Sequence, residues 1–284
     1  MESALPRLPD DVWEDIVDDI CADIRSLHNV SLVRKAWTPM GQRRLFKSVK
    51  YSNYDPKSPT PDDLAFFISA SPHIAQYIHA LELRCCKLQL ATLLSILSCL
   101  SNLRQLMIGD RVHLQDDRRD ALSPPPCRMG PLETFCFNEC EATSVILHYL
   151  LSLFRPCIPH VQLRNRTWTS RDTDNTWKLY DPSGLPPLDL AVDTLSVYNV
   201  PWEMISAMLR HNTTVAKTIT ELRLRTLYEY YQPTAVGRLL AELPSLRHFQ
   251  LGPYFPITMD ELQAHYPQGR GEHGAICIHV TKHY

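Results

Sequence analysis

One spacing of apolar residues, L-x-x-L-x-L, recurs along most of this 284-residue chain and constrains its fold more than any other feature. Seven segments fit the template, at intervals of 25 to 34 residues: Ile78/Leu81/Leu83, Leu103/Leu106/Ile108, Leu132/Phe135/Phe137, Ile158/Val161/Leu163, Val192/Leu195/Val197, Ile219/Leu222/Leu224 and Leu246/Phe249/Leu251. Helix-like apolar segments lie between them, at 88–100, 142–154, 201–211 and 234–242. A strand followed by a helix, repeated in series, predicts an α/β solenoid.

The template predicts a leucine-rich-repeat solenoid, because its fourth and sixth positions point to the same side of a short strand and each repeat completes its core only by stacking on its neighbours. The pattern is degenerate, with no regular asparagine and a poor fourth repeat, so another α/β arrangement is the alternative. Cys86 and Cys140 fall where the template has Asn or Cys, which favours a structural role for both. The alternating segment 275–280 predicts a closing strand.

Strand residues that alternate with the core positions are expected on the concave surface. They are mostly polar: Glu82, Arg84, Gln105, Met107, His160, Gln162, Arg164, Ser196, Tyr198, Glu221, Arg223, Arg225, His248 and Gln250. Six of them are the candidate substrate-binding residues: Arg84, Arg164, Tyr198, Arg223, Arg225 and His248. Because guanidinium groups bind carboxylate and phosphate in a two-bond fork, the predicted ligand is an acidic or phosphorylated segment. The alternative is a solvated face in which Glu221 neutralises Arg223.

Two longer insertions, 111–130 and 166–187, are predicted to be surface loops on one rim of the solenoid. The second contains Trp168 and Trp177 and is the fallback position for a binding site.

The N-terminal segment has a different organisation. Apolar residues from Val12 to Ile20 follow helical spacing, and a second set from Ile24 to Trp37 predicts one or two further short helices. Three short helices in about forty residues bury little surface by themselves, and no disulfide or metal site offers itself. We therefore expect a helical module that leaves an apolar face open for another protein.

The order and spacing of Leu8-Pro9, the helix face at 12 and 16, the segment 23–27, Ser31-Leu32-Val33 and Trp37 resemble the F-box motif. The segments 44–46 and 48–49 resemble the version common in fungal F-box proteins. The resemblance implies binding to the S-phase-kinase-associated adaptor of a cullin-based ubiquitin ligase, with these contact residues: Leu8, Pro9, Val12, Ile16, Leu32, Val33 and Trp37. For any single one of them, packing inside the module is the alternative role.

The predicted organisation is an F-box at 1–50, a linker and the start of the repeat region at 51–75, and degenerate leucine-rich repeats at 76–284. The resemblance implies a non-catalytic substrate receptor of an SCF-type ligase with an unknown protein target. Residues 1–9 have neither the basic start nor the apolar run of a secretory signal, so we expect a cytoplasmic or nuclear location. A scaffold that acts without ubiquitination is the alternative. The sequence has none of the phosphate-loop, nucleophile-elbow or zinc-protease motifs typical of enzymes.

Composition narrows the expected partners further. A formal net charge of -2 favours neither nucleic acid nor an anionic membrane as the main partner. The nine cysteines have no C-x-x-C spacing, so we expect no zinc and no other cofactor.

Overall fold

A computed structural model of the chain describes the following residues: 12, 38–54, 59–115, 129–140, 142, 144–164, 185–200, 202–225, 233–252 and 277–280. The helices are α1 (Thr38–Leu45), α2 (Pro61–Ala70), α3 (Pro72–Ala75), α4 (Leu90–Cys99), α5 (Ser144–Leu153), α6 (Trp202–His211), α7 (Thr213–Thr218) and α8 (Pro233–Ala241). The strands are β1 (Ser48–Ser52), β2 (Ala80–Arg84), β3 (Lys87–Gln89), β4 (Gln105–Gly109), β5 (His113–Gln115), β6 (Thr134–Asn138), β7 (His160–Arg164), β8 (Thr194–Tyr198), β9 (Glu221–Arg225), β10 (His248–Leu251) and β11 (Cys277–Val280).

Nine strands form one parallel sheet, in the order β1-β2-β4-β6-β7-β8-β9-β10-β11. Strands β3 and β5 form a second, two-stranded parallel sheet. The strands of the large sheet therefore lie in chain order, so each pairs with the next one, and β1 and β11 form the two edges. Parallel neighbours need a crossover, and several of these crossovers contain a helix. The predicted α/β class is confirmed, and so is the predicted closing strand, which is β11.

The register places the predicted core residues in two continuous rows. All seven predicted template segments contribute their fourth position to one row and their sixth position to the other: Leu81, Leu106, Phe135, Val161, Leu195, Leu222 and Phe249, then Leu83, Ile108, Phe137, Leu163, Val197, Leu224 and Leu251. Every one of these side chains is at most 4% exposed. They belong to one core that also contains helix residues such as Leu93, Leu147 and Leu239. The helices thus cover this side of the sheet, and burial of each large side chain contributes about 1.5–3 kcal/mol.

Backbone hydrogen bonds repeat at the start of the strands and hold this register. The amides of Arg104 and Gln105 both donate to the carbonyl of His79, at 2.8 and 2.9 Å. The same double donation to one carbonyl of the preceding strand region recurs at 79–80, 133–134, 193–194, 220–221 and 247–248. A residue in the left-handed region follows several strands at the other end, at Cys85, Asp110, Glu139 and Asn199.

The buried cysteines take part in this repeated structure. The Cys140 thiol donates to the carbonyl of Ile108 at 2.9 Å, so it connects the end of β6 to the neighbouring β4. Burial raises the pKa of Cys140 well above its usual value and that of Cys86 to about 11. Both thiols stay protonated at neutral pH, which agrees with the structural role predicted for them.

The structure differs from the prediction at the boundary between the predicted F-box and the predicted linker. The first strand of the sheet, Ser48–Ser52, crosses that boundary, and α2 starts at Pro61 within the polar stretch predicted as a linker. The Thr60 hydroxyl accepts from the amide of Asp63 at 3.2 Å, and the Asp63 carboxylate accepts from the amide of Thr60 at 2.8 Å. This is a capping box with proline in the first turn, a helix start that resembles a polar loop in composition. Helix α7 and strand β5 were also not predicted.

No helix in the described part of the chain is both long and apolar enough to cross a membrane. Those same ranges contain no cluster of three or more His, Cys, Asp or Glu side chains able to hold a metal ion.

Candidate functional site

The side of the sheet opposite the helices carries the first and third residues of strands β1, β2, β4 and β6 to β10, and the fifth residue of each five-residue strand among them, and we call it the polar face. The predicted outward residues lie on it, as alternation requires. Glu82 is the exception in exposure: it occupies a third position, yet only 9% of it is exposed. Glu82 thus faces the predicted side, but neighbouring cationic side chains cover it.

Those cationic side chains neutralise the N-terminal end of the polar face. The Glu82 carboxylate binds the Lys50 ammonium at 3.3 Å and also accepts a hydrogen bond from the Arg84 guanidinium. The opposite side of that guanidinium binds Asp110 at 2.9 Å. The hydrogen bond to Glu82 is the main reason why the pKa of Arg84 rises above its usual value. Arg84, a predicted substrate-binding residue, is thus occupied by two carboxylates of its own chain.

Arg164, Tyr198 and Arg225 are adjacent in the fifth row of the polar face, on β7, β8 and β9. We call these three residues the arginine–tyrosine row. The Arg164 guanidinium carbon lies 4.8 Å from the centre of the Tyr198 ring, within the range of a cation–π contact. Its Nε also lies 3.4 Å from a carboxylate oxygen of Glu139.

Arg225 is exposed, as Arg223 is. Unlike the other predicted arginines, its side chain has no ion pair or hydrogen-bond partner within the described ranges. Its backbone carbonyl accepts from the amide of Asn199 at 3.2 Å, which fixes the end of β9 against β8. On the other side lies Gly252, where an added Cβ would stand 3.2 Å from the Arg225 Cα. Close strand ends therefore hold the backbone of Arg225 while its guanidinium is available to a ligand.

The Arg223 guanidinium forms an ion pair with a carboxylate of its own strand. Its Nε lies 2.7 Å from the Glu221 carboxylate, two residues earlier in the same strand. This bond, with help from the Thr194 hydroxyl and the nearby His248, lowers the pKa of Glu221. The local pair between Glu221 and Arg223 that the alternative invoked is therefore present, and His248 lies beside Glu221 in the first row instead of joining the arginines.

The six candidate residues do not form one patch. Arg84 lies three strand steps from Arg164, roughly 14 Å at about 4.8 Å per step. The prediction of a continuous arginine patch is corrected: Arg164, Tyr198 and Arg225 come together, whereas Arg84, Arg223 and His248 do not join them.

Sequence reasoning missed an open depression at the carboxyl ends of β1 and β2. It has a volume of about 740 Å³ and is lined by Asn53, Tyr54, Cys85, Cys86, Lys87, Arg111 and His113. A repeated basic-Leu-Gln pattern was the available signal: Lys87-Leu88-Gln89 and His113-Leu114-Gln115 follow successive template segments at similar distances, and they pair as β3 and β5.

The adaptor-binding residues predicted at 8, 9, 16, 32, 33 and 37 lie outside the described residues, as do Trp168 and Trp177. Val12 is described, and it is helical and 36% exposed. The adaptor-binding assignment therefore stays a prediction.

Comparison with known proteins does not assign the chain to a family. None of the protein-family models matches the chain, and no curated protein sequence matches it either. The class that the structure defines is an α/β protein whose parallel sheet follows chain order and whose polar face is at least partly exposed at most of its described residues.

Proposed function

We propose that this chain is the substrate-recognition subunit of an SCF-type ubiquitin ligase, with an F-box that docks on the adaptor and a leucine-rich-repeat solenoid that binds a target protein. One observation carries the proposal: the seven predicted template segments align in a single register, most described residues of the polar face are at least partly exposed, and a segment that resembles the F-box motif precedes them in the chain. A face built by repetition suits recognition of an extended partner.

In this proposal the chain has a positioning role and performs no chemistry. The F-box binds the adaptor, and through it the cullin, while the polar face holds the target. Proximity then raises the effective concentration of a target lysine at the ubiquitin-transfer centre of the partner subunits.

The arginine–tyrosine row is the proposed contact for the target. Arg225 offers a free planar fork, which matches a carboxylate or phosphate group through two parallel hydrogen bonds. Tyr198 adds a flat ring beside it, and tyrosine and arginine are common anchors of protein interfaces. The proposed target segment is therefore acidic or phosphorylated.

A scaffold that uses the same two surfaces without ubiquitination is the second candidate. Purification after proteasome inhibition separates the two, since a receptor recovers the adaptor together with cullin and ubiquitinated targets. A scaffold recovers the adaptor alone or neither partner.

Affinity purification of three variants of the full chain tests the proposal. Joint replacement Leu8→Ala and Pro9→Ala should abolish adaptor recovery, because each lost anchor costs about 2 kcal/mol or more. Arg225→Ala should keep the adaptor and weaken target capture by at least about tenfold, since a hydrogen-bonded charged contact contributes about 1.5–3 kcal/mol. Arg238→Ala is the matched control, because Arg238 is exposed on α8 in the helix layer.

Two results would contradict the proposal in different ways. Wild-type adaptor recovery by the Leu8/Pro9 double variant removes the F-box assignment. Unchanged target recovery with Arg225→Ala moves the target site elsewhere, first to the 166–187 insertion.

A further inference from the structure

The open depression beside β3 and β5 carries positive charge that the proposed function does not use. Three of its seven lining residues are basic, Lys87, Arg111 and His113, and none of the seven is acidic. It lies at the β1–β2 end of the sheet, several strands away from the arginine–tyrosine row.

The topology brings these three bases close together. Lys87 and His113 are register partners in the β3–β5 pair, so their backbones lie about 4.8 Å apart. Arg111 precedes His113 by two residues, which places it near the same end of β5. Lys87 and Arg111 are both exposed, and neither has an ion pair with any residue that the structure describes.

The acidic side chain next to Arg111 in the chain, that of Asp110, already forms an ion pair with another residue. Asp110 precedes Arg111, but its carboxylate binds Arg84 at 2.9 Å. Its backbone carbonyl accepts from the Cys85 amide at 2.8 Å and from the Cys85 thiol at 2.7 Å. Among the residues that the structure describes, therefore, neither Lys87 nor Arg111 has an ion-pair partner in the depression.

The backbone around the bases is held in a costly conformation. Cys85, Asp110 and Arg111 have φ angles of 47°, 48° and 67°, in the region that side-chain-bearing residues rarely adopt. The left-handed residue recurs after several strands, but two in succession occur only at Asp110 and Arg111 among the described residues. The Arg111 amide donates to the carbonyl of Glu139 at 3.1 Å, which fixes this turn to the next strand. Such strained positions occur preferentially at binding sites.

We propose that this depression binds a phosphate monoester through Lys87, Arg111 and His113. A phosphate monoester carries a charge of about −1.5 to −2 on three acceptor oxygens, which matches two unpaired cations and a third donor that converge on one place. A carboxylate carries one charge on two oxygens and leaves one cation unmatched.

Tyr54 supplies a surface for the organic part of the ligand. It is 71% exposed, the second most exposed large hydrophobic side chain in the described chain, and it lines the same depression. Its hydroxyl hydrogen-bonds the Cys85 side chain, which is the main cause of its raised pKa. This hydrogen bond holds the Tyr54 side chain against a residue that lines the depression together with the three bases.

Calorimetric titration of the full chain with three probes tests the site: inorganic phosphate, a phosphoserine peptide and the same peptide with glutamate in place of phosphoserine. We expect both phosphate probes to bind and the glutamate peptide to bind at least about tenfold more weakly than the phosphopeptide. Lys87→Ala and Arg111→Ala should each weaken phosphate binding by about tenfold, since each removes a charge-assisted contact. Lys217→Ala is the matched control, because Lys217 is exposed on α7.

The two phosphate probes also distinguish the source of the ligand. Tighter binding of the phosphopeptide, lost in Tyr54→Ala, supports a phosphorylated side chain on a partner protein. Equal binding of both probes supports a small phosphorylated molecule. The proposal is overturned if neither phosphate probe binds. It is also overturned if the glutamate peptide binds as tightly as the phosphopeptide. Wild-type affinity in both Lys87→Ala and Arg111→Ala, with an unchanged melting temperature, also overturns it.

Discussion

Arg84 and Arg225 occupy the same position in their strands, the fifth residue of β2 and of β9, but only one of them is available to a ligand. Arg84 is bound by Glu82 and Asp110, and the Glu82 carboxylate is almost buried beneath it. Arg225 is exposed and has no such partner within the described ranges. The position of a residue in its strand therefore sets the face on which the side chain emerges, whereas neighbouring strands and turns decide whether it supports the fold or can bind a partner.

The largest expected contrast is in stability. Glu82→Ala removes the carboxylate shared by Lys50 and Arg84 and should lower the free energy of unfolding by about 1–2 kcal/mol, because hydrogen bonds to a nearly buried charged group are lost. Arg225→Ala should change it by less than about 0.5 kcal/mol, since it breaks no contact within the described chain. Urea unfolding of the two variants measures both values. Equal losses would mean that the two ends of the polar face do not differ in the way described.

An intermediate effect on the free energy of unfolding is expected for Arg164, which contacts the Tyr198 ring and the Glu139 carboxylate. Arg164→Lys keeps the positive charge but loses the planar group over the Tyr198 ring, so it should cost about 0.5–1 kcal/mol. A double-mutant cycle with Tyr198→Ala isolates the contact, with an expected coupling of about 0.5 kcal/mol. A coupling of zero would show that the ring contributes nothing to holding Arg164.

The smallest effect concerns pH. The Arg223 guanidinium lowers the pKa of Glu221 in the folded chain below its ordinary value of 4.5. Its contribution to stability is thus present above about pH 4.5 and is lost as the pH falls through the lowered pKa. The melting temperature of the wild type should exceed that of Glu221→Gln at pH 6, and the difference should shrink by pH 3. A constant difference in melting temperature across this range would exclude the ion pair as its cause. Arg225→Ala is the control, and its difference in melting temperature from the wild type should not change with pH.

Much of the fold followed from local pattern. The positions of seven strands, four helices between them and the closing strand all came from apolar spacing, because a buried row needs an apolar residue at the same place in every repeat. Even the poor repeat at 158–163 pairs in register, since its neighbours on both sides hold it. Helix α2 was missed because its start resembles a polar loop in composition.

The sites were predicted less completely for a different reason. Alternation along a strand placed Arg84, Arg164, Tyr198, Arg223 and Arg225 correctly on the polar face. It carried no information on Asp110, which comes from the turn after β4 and engages Arg84, nor on the meeting of Lys87 with His113 across β3 and β5.

By itself, the sequence determined the α/β class, the strand positions and the side on which each strand residue emerges, since these depend on spacing within one repeat. Only the tertiary structure decided that Glu82 is buried, that Asp110 engages Arg84, and that Arg225, Lys87 and Arg111 have no ion-pair partner among the described residues. The physical reason is that charge pairing acts over a few ångströms. Contacts between repeats bring together residues that lie about 25 or more positions apart in the chain, so availability depends on neighbours that the local pattern does not specify.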